Sequence, residues 1–182
     1  MKKLLLVMLA VLSSSAVWGA TNMLEFRHLL YVHYEGARNV RPGDLYILHR
    51  SVGKDGKDAF TFTDRKGKPV SQEQVLKRSK IILTAADVKP SVKAEKDPQV
   101  HIQVIMLEFT DSGKTKFANF TKQHVGDVLA IIINGSILSA PTVNEPILES
   151  RVVIRGRFTA QEAQKIADQI NVAAKAAGKG KH

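Results

Sequence analysis

Asn134-Gly135, set between two apolar runs, constrains this chain more than any other pair of residues. A type I′ turn needs positive φ at both central positions, and Asn followed by Gly tolerates that best. Residues 129–133 before the pair and Ile137-Leu138 after it therefore read as the two strands of a hairpin. Ile131-Ile132-Ile133 is β-branched and uncharged, which predicts a buried strand near the centre of a sheet. Pro141 removes a backbone donor, so the segment beyond it should be an edge or a bend. The stretch holds no nucleophile, ligand set or phosphate loop, and reads as scaffold.

Short patterned segments flank it on both sides. Leu24 and Phe26 alternate with Glu25 and Arg27, predicting a strand over 23–32 with one apolar and one charged face. Residues 34–44 read as a loop, 45–48 as a strand, 51–58 as an exposed turn and 59–63 as a further strand. Ser71 followed by Gln74 has the form of a capping box and predicts a two-turn helix to Arg78. Residues 81–84 read as a strand, 85–87 as one helical turn, and 88–97 as an edge strand or exposed connection. Val100, Ile102, Val104 and Met106 recur at period two and should share an apolar face. Asp111 or Ser112 is the expected cap of a helix over 112–124, on which Phe117 and Phe120 point inward and which Gly126 ends. Residues 152–154 read as a strand. Thr159 and Glu162 form a second capping box, opening a helix over 159–177 with an apolar stripe of Ala163, Ile166, Ala167, Ile170 and Ala174, and Gly178 as its stop. The expected fold class is α+β: an antiparallel or mixed sheet with two main helices packed on one face.

Residues 1–20 have the form of a secretory signal: Lys2 and Lys3, an apolar run over 4–12, then small residues. Cleavage after Gly19 or Ala16 fits the small-residue rule. The uncharged stretch 4–24 could instead serve as an uncleaved anchor. Lys and Arg number 27 against 17 Asp and Glu, so an exported chain of this kind is drawn to anionic headgroups, acidic wall polymers or acidic polypeptides, or simply carries a solvated basic surface. There is no cysteine, which excludes disulfides and thiolate metal sites.

Catalytic and cofactor patterns fail one by one. Ser112-Gly113-Lys114-Thr115 ends like a phosphate loop, yet Glu108 stands where its first glycine belongs. The histidines are scattered without metal-ligand spacing, so a metal site would have to assemble from distant segments, and His124 reads as a helix C-terminal residue favoured by the dipole. Ser139 lies in Leu-Ser-Ala-Pro, without a nucleophile elbow. The basic clusters lack interleaved aromatics, which argues against a nucleic-acid partner. No enzyme activity, cofactor or metal is expected.

Leu83-Thr84 with Asp87, residues 104–109, Gly113, Phe117, Thr121 and Val125-Gly126 resemble, in order, the head subdomain of the SecD/SecDF protein-export family. Leu129-Ala130-Ile131, Asn134-Gly135, Ser139-Ala140-Pro141, Asn144-Glu145-Pro146-Ile147, residues 154–158 and Glu162-Ala163 sharpen the resemblance, and Leu24-Glu25-Phe26-Arg27 is similar to a strand of the family's base subdomain. Ala85 departs from the family's glycine, and Arg155 from its threonine. The resemblance implies residues 1–20 as signal or anchor, 21–80 as a β-rich lobe like part of the base, 81–177 as a head-like domain, and 178–182 as a basic tail. It also implies a periplasmic, non-enzymatic module contacting translocating or unfolded polypeptide, without the family's transmembrane motor. Polypeptide is expected at Ala140, Pro141, Asn144, Glu145, Pro146 and Ile147, where prolines leave an irregular edge. Sec membrane subunits are expected as partners, with peripheral membrane contact. The alternative is an envelope structural or regulatory protein bound to a membrane complex or wall polymer.

Overall fold

The structure, a computed structural model, describes residues 23–38 and 40–179. The signal or anchor segment 1–20 and residues 180–182 of the tail lie outside them. The first half contains β1 (Leu24–His28), β2 (Val32–Tyr34), β3 (Tyr46–Val52), β4 (Asp58–Asp64), β5 (Pro69–Val70), α1 (Gln72–Lys77) and β6 (Lys80–Thr84). A 3-10 turn, Ala85–Asp87, leads to β7 (Lys93–Lys96), β8 (Gln103–Glu108) and α2 (Asp111–Gln123). Strands β9 (Leu129–Ile133), β10 (Ser136–Ser139) and β11 (Arg151–Arg155) and helix α3 (Ala160–Lys179) complete the chain.

The class is α+β, with the strands divided among three sheets rather than one. Their orders are β10-β9-β1-β6, β11-β8-β7 and β2-β3-β4-β5, and among the described residues only the β2–β3 pair is parallel. The Asn134-Gly135 turn forms as expected, with φ of 50° and 80°. Strand β9 is buried along its whole length because it is covered twice. Leu129, Ile131 and Ile133 point into a core with Leu24, Phe26, Ile105, Leu107, Phe117, Phe120 and the α3 stripe. Ala130 and Ile132 point the other way, into a second core with Leu48, Phe62, Val75 and Ile137. Helices α2 and α3 both belong to the first core, on one face of the β9 sheet. The β2–β5 sheet and α1 cover the other face.

Local chemistry explains the boundaries. Ser71–Gln74 and Thr159–Glu162 both form reciprocal capping boxes. The cap of α2 is Thr110, not Asp111 or Ser112: its hydroxyl accepts from the Gly113 amide at 3.1 Å while its own amide is fixed by the Asp87 carbonyl at 2.9 Å. Gly178 does not stop α3, which runs to Lys179. The strand expected over 23–32 is two strands, since the chain leaves one sheet at Leu29 and enters another at Val32, with Tyr31 at φ 63°. The exposed turn expected over 51–58 shrinks, because β3 continues to Val52 and β4 begins at Asp58 in an unbroken antiparallel ladder.

One face assignment holds and one changes. The charged face of β1 is not solvent-facing: Glu25 is buried, accepting from Arg27 Nε at 2.6 Å, while Arg27 Nη1 donates to the Leu76 carbonyl and Ser79 Oγ. On β8 the core face carries Ile105 and Leu107, continuing to Phe109, while Val100 and Ile102 are exposed. The period-two pattern misleads there because 97–102 is a turn, closed by the Asp97 amide on the Ile102 carbonyl with His101 at φ 57°, and the strand proper starts only at Gln103.

Candidate functional site

The segment after the hairpin is pinned at intervals. The Ala140 carbonyl accepts from the Tyr34 hydroxyl, and the Pro141 carbonyl from the Leu129 amide. Burial pushes the Tyr34 phenol up, Arg50 opposes and Asp58 adds to the rise, so its proton stays in place to donate. The Val143 amide donates to the Asp127 backbone carbonyl, and the Val143 carbonyl accepts from the Gly126 amide. Ile147 is held by Thr121, whose fully buried hydroxyl donates to the Phe117 carbonyl and accepts the Ile147 amide at 2.9 Å. Between these anchors Asn144, Glu145 and Pro146 form an exposed arch.

The six residues expected to meet polypeptide do not all line one cavity. Ala140 and Pro141 line a groove of about 700 Å³ with Ser139, the 155–158 segment at the end of β11, and residues of β3 and β4. Its walls carry the aromatic rings of Tyr34, Phe60 and Phe158 and the cations Arg50, Arg155 and Arg157. The cations are partly neutralised: Arg50 grips Asp58 through two bonds of 3.1 and 2.9 Å, and Arg155 Nη2 lies 3.3 Å from Asp97. Gly156 allows the Phe158 ring to fold back over the chain, since a Cβ there would lie 2.4 Å from its tip. Asn144 instead lines a smaller cavity of about 320 Å³ near Arg41 and Asp44, while Glu145, Pro146 and Ile147 line neither. Sequence reasoning missed the aromatic and arginine walls, because they come from strands far apart in the chain.

A second polar cluster lies at the end of α2. His28 of β1, His124 at the C-cap and Asp127 in the turn before β9 bring their ligand atoms within 4.8 Å of one another. Asp127 Oδ2 is 2.7 Å from His28 Nε2 and 3.0 Å from His124 Nδ1, and Arg41 Nη1 lies 2.5 Å from Oδ1. Burial pushes His28 below the ordinary histidine range; Asp127 opposes that, and His124 and Arg41 add to it. Phe120 stacks on His124 and meets His28 edge-on. Among the described residues no helix is long and apolar enough to cross a membrane.

Against known proteins, the family described as "SecDF, P1 head subdomain" matches residues 58–177. A protein translocase subunit SecD of Dictyoglomus turgidum is 40% identical over 138 residues, covering 70% of this chain and 34% of the relative. The SecD subunit of Acidaminococcus fermentans is 38% identical over 124 residues, covering 68% and 28%. The chain thus spans about a third or less of the length of these relatives. Among solved structures, SecDF in a super-membrane-facing form superposes with a TM-score of 0.53 at 25% identity, over 81% of this chain and 18% of that one. A second, described as a membrane component SecDF that enhances protein export, gives 0.52 at 24% identity over 82% and 61%, a likeness of fold.

Proposed function

This chain belongs to the family of the SecDF P1 head subdomain, and from that premise we propose that it serves protein export as a non-enzymatic module that holds an extended stretch of polypeptide. The observation that carries this reading is the groove of about 700 Å³ bounded by the ends of β10 and β11. Among the described residues each of these strands pairs on one side only, with β9 and β8 respectively, which leaves backbone groups that an added strand can use. Main-chain pairing tolerates many sequences, as a module meeting many exported chains requires. Tyr34, Phe60 and Phe158 offer surface for apolar side chains, and the arginines for carboxylates or carbonyls.

On this reading Ala140 and Pro141 belong to the groove wall, and Asn144, Glu145, Pro146 and Ile147 to the arch leading from it. The base-like segment proposed over 21–80 supplies β1 to the sheet of the head-like segment proposed over 81–177. The 1–20 segment directs the module to the periplasmic side or anchors it there, with Sec membrane subunits as neighbours.

The test is in-cell photocrosslinking from Pro141 and Phe158 in the groove and from Glu145 on the arch. Adducts to chains in transit, strongest from the groove positions and lost when export is blocked, are the expected result. Adducts confined to membrane subunits or wall polymer would overturn the polypeptide-holding role and favour an envelope structural or regulatory protein.

A further inference from the structure

The cluster at the end of α2 brings two imidazoles and one carboxylate together at a single point. His28 is about 95% buried, and its Nε2 has no hydrogen-bond partner among the described residues although Asp127 Oδ2 is only 2.7 Å away. The close approach of the two groups is thus not accounted for by a hydrogen bond of ordinary geometry. His124 Nδ1 approaches the same oxygen from the other side at 3.0 Å. A tetrahedral metal with bonds of about 2.0–2.1 Å holds neighbouring ligand atoms about 3.3 Å apart. The two measured edges, 2.7 and 3.0 Å, are shorter than this by about 0.6 and 0.3 Å, so the three side chains need only open slightly to form such a set.

We propose that His28 Nε2, His124 Nδ1 and Asp127 Oδ2 form a site for a divalent late transition metal, of which Zn²⁺ is the natural probe, tying β1 to the end of α2. Two imidazoles with one carboxylate select this class over Mg²⁺ or Ca²⁺, which prefer oxygen alone. Arg41 bonds Oδ1 and leaves Oδ2 to the two rings, orienting the carboxylate from outside the ligand set. His124 keeps about a third of its side chain exposed and provides the entry path. Three protein ligands leave a fourth position for water. The site is independent of the groove and of the role proposed for it.

Equilibrium dialysis of the full untagged chain against Zn²⁺ tests this, with Co²⁺ as a spectroscopic substitute. One Zn²⁺ per chain, visible bands of tetrahedral Co²⁺ and a Tm raised by Zn²⁺ are expected. His124→Ala and the near-isosteric Asp127→Asn should each weaken binding at least about 100-fold, the upper end of what losing an outer partner costs. His101→Ala, on the exposed turn before β8, should leave it unchanged. Wild-type chain that takes up no stoichiometric Zn²⁺, or uptake that survives both ligand variants, would show the cluster to be a hydrogen-bonded polar knot and nothing more.

Discussion

Gly113 shows how a residue that imitates a functional motif is explained by packing. It sits in Ser112-Gly113-Lys114-Thr115, but a Cβ at this position would lie 2.2 Å from the Asp87 carbonyl oxygen. That carbonyl accepts the Thr110 amide, and the Asp87 carboxylate holds the Thr84 amide and, at 2.7 Å, Lys116 Nζ. The first turn of α2 is thus pressed against the 3-10 turn, and glycine is what lets it approach. Gly113→Ala sets two effects against each other. Alanine is the better helix former by about 1 kcal/mol, whereas forcing a methyl into a filled backbone contact costs about 1–3 kcal/mol. Because the obstacle is backbone and not a mobile side-chain tip, the second effect should win. A net loss of stability in urea titration is expected; a variant as stable as the parent or more so would show that the two turns can part at little cost.

At the scale of elements, the arch 144–146 depends on one hydroxyl of α2. Thr121→Val keeps the shape and removes the acceptor of the Ile147 amide. Leaving that amide unpaired should cost about 1–3 kcal/mol, and amide exchange at Ile147 should accelerate while the middle of β9 stays protected. Exchange at Ile147 as slow as in the parent would mean that the arch is held elsewhere. Thr121 was visible in the sequence only as part of the family resemblance, because nothing local says that a helix threonine faces a loop 26 residues on. The hairpin was readable because Asn134 and Gly135 carry their own backbone preference, and the two capping boxes because each closes over four residues. The cap at Thr110 was missed because Asp111 and Ser112 compete with it as acceptors, and the face of β8 because the turn at His101 resets the alternation. Neither the groove nor the histidine–aspartate cluster could be read locally. Tyr34 meets Ala140, and His28 meets Asp127, only after sheets and helices have packed.

For the molecule as a whole, the decisive fact is the place of β1. It pairs with β9 on one side and β6 on the other, so the sheet that divides the two cores is continuous only through it. Leu24 and Phe26 of β1 are buried in the first core, while Arg27 ties the opposite side to α1 through Leu76 and Ser79. A fragment beginning at residue 58, where the family match starts, would lack β1 and also β2 and β3. Losing one large buried side chain costs about 2–5 kcal/mol, and whole domains are stable by only about 5–15 kcal/mol. Removing Leu24 and Phe26 together with two ladders of hydrogen bonds should therefore exceed the total. The 58–182 fragment is expected to lack a cooperative thermal transition and native near-UV circular dichroism, whereas the chain from residue 23 onward should show one transition reporting on both cores. A fragment that unfolds cooperatively would mean that β9 and β6 close directly on each other, and that the N-terminal strand is an addition to the head-like part and not its central beam.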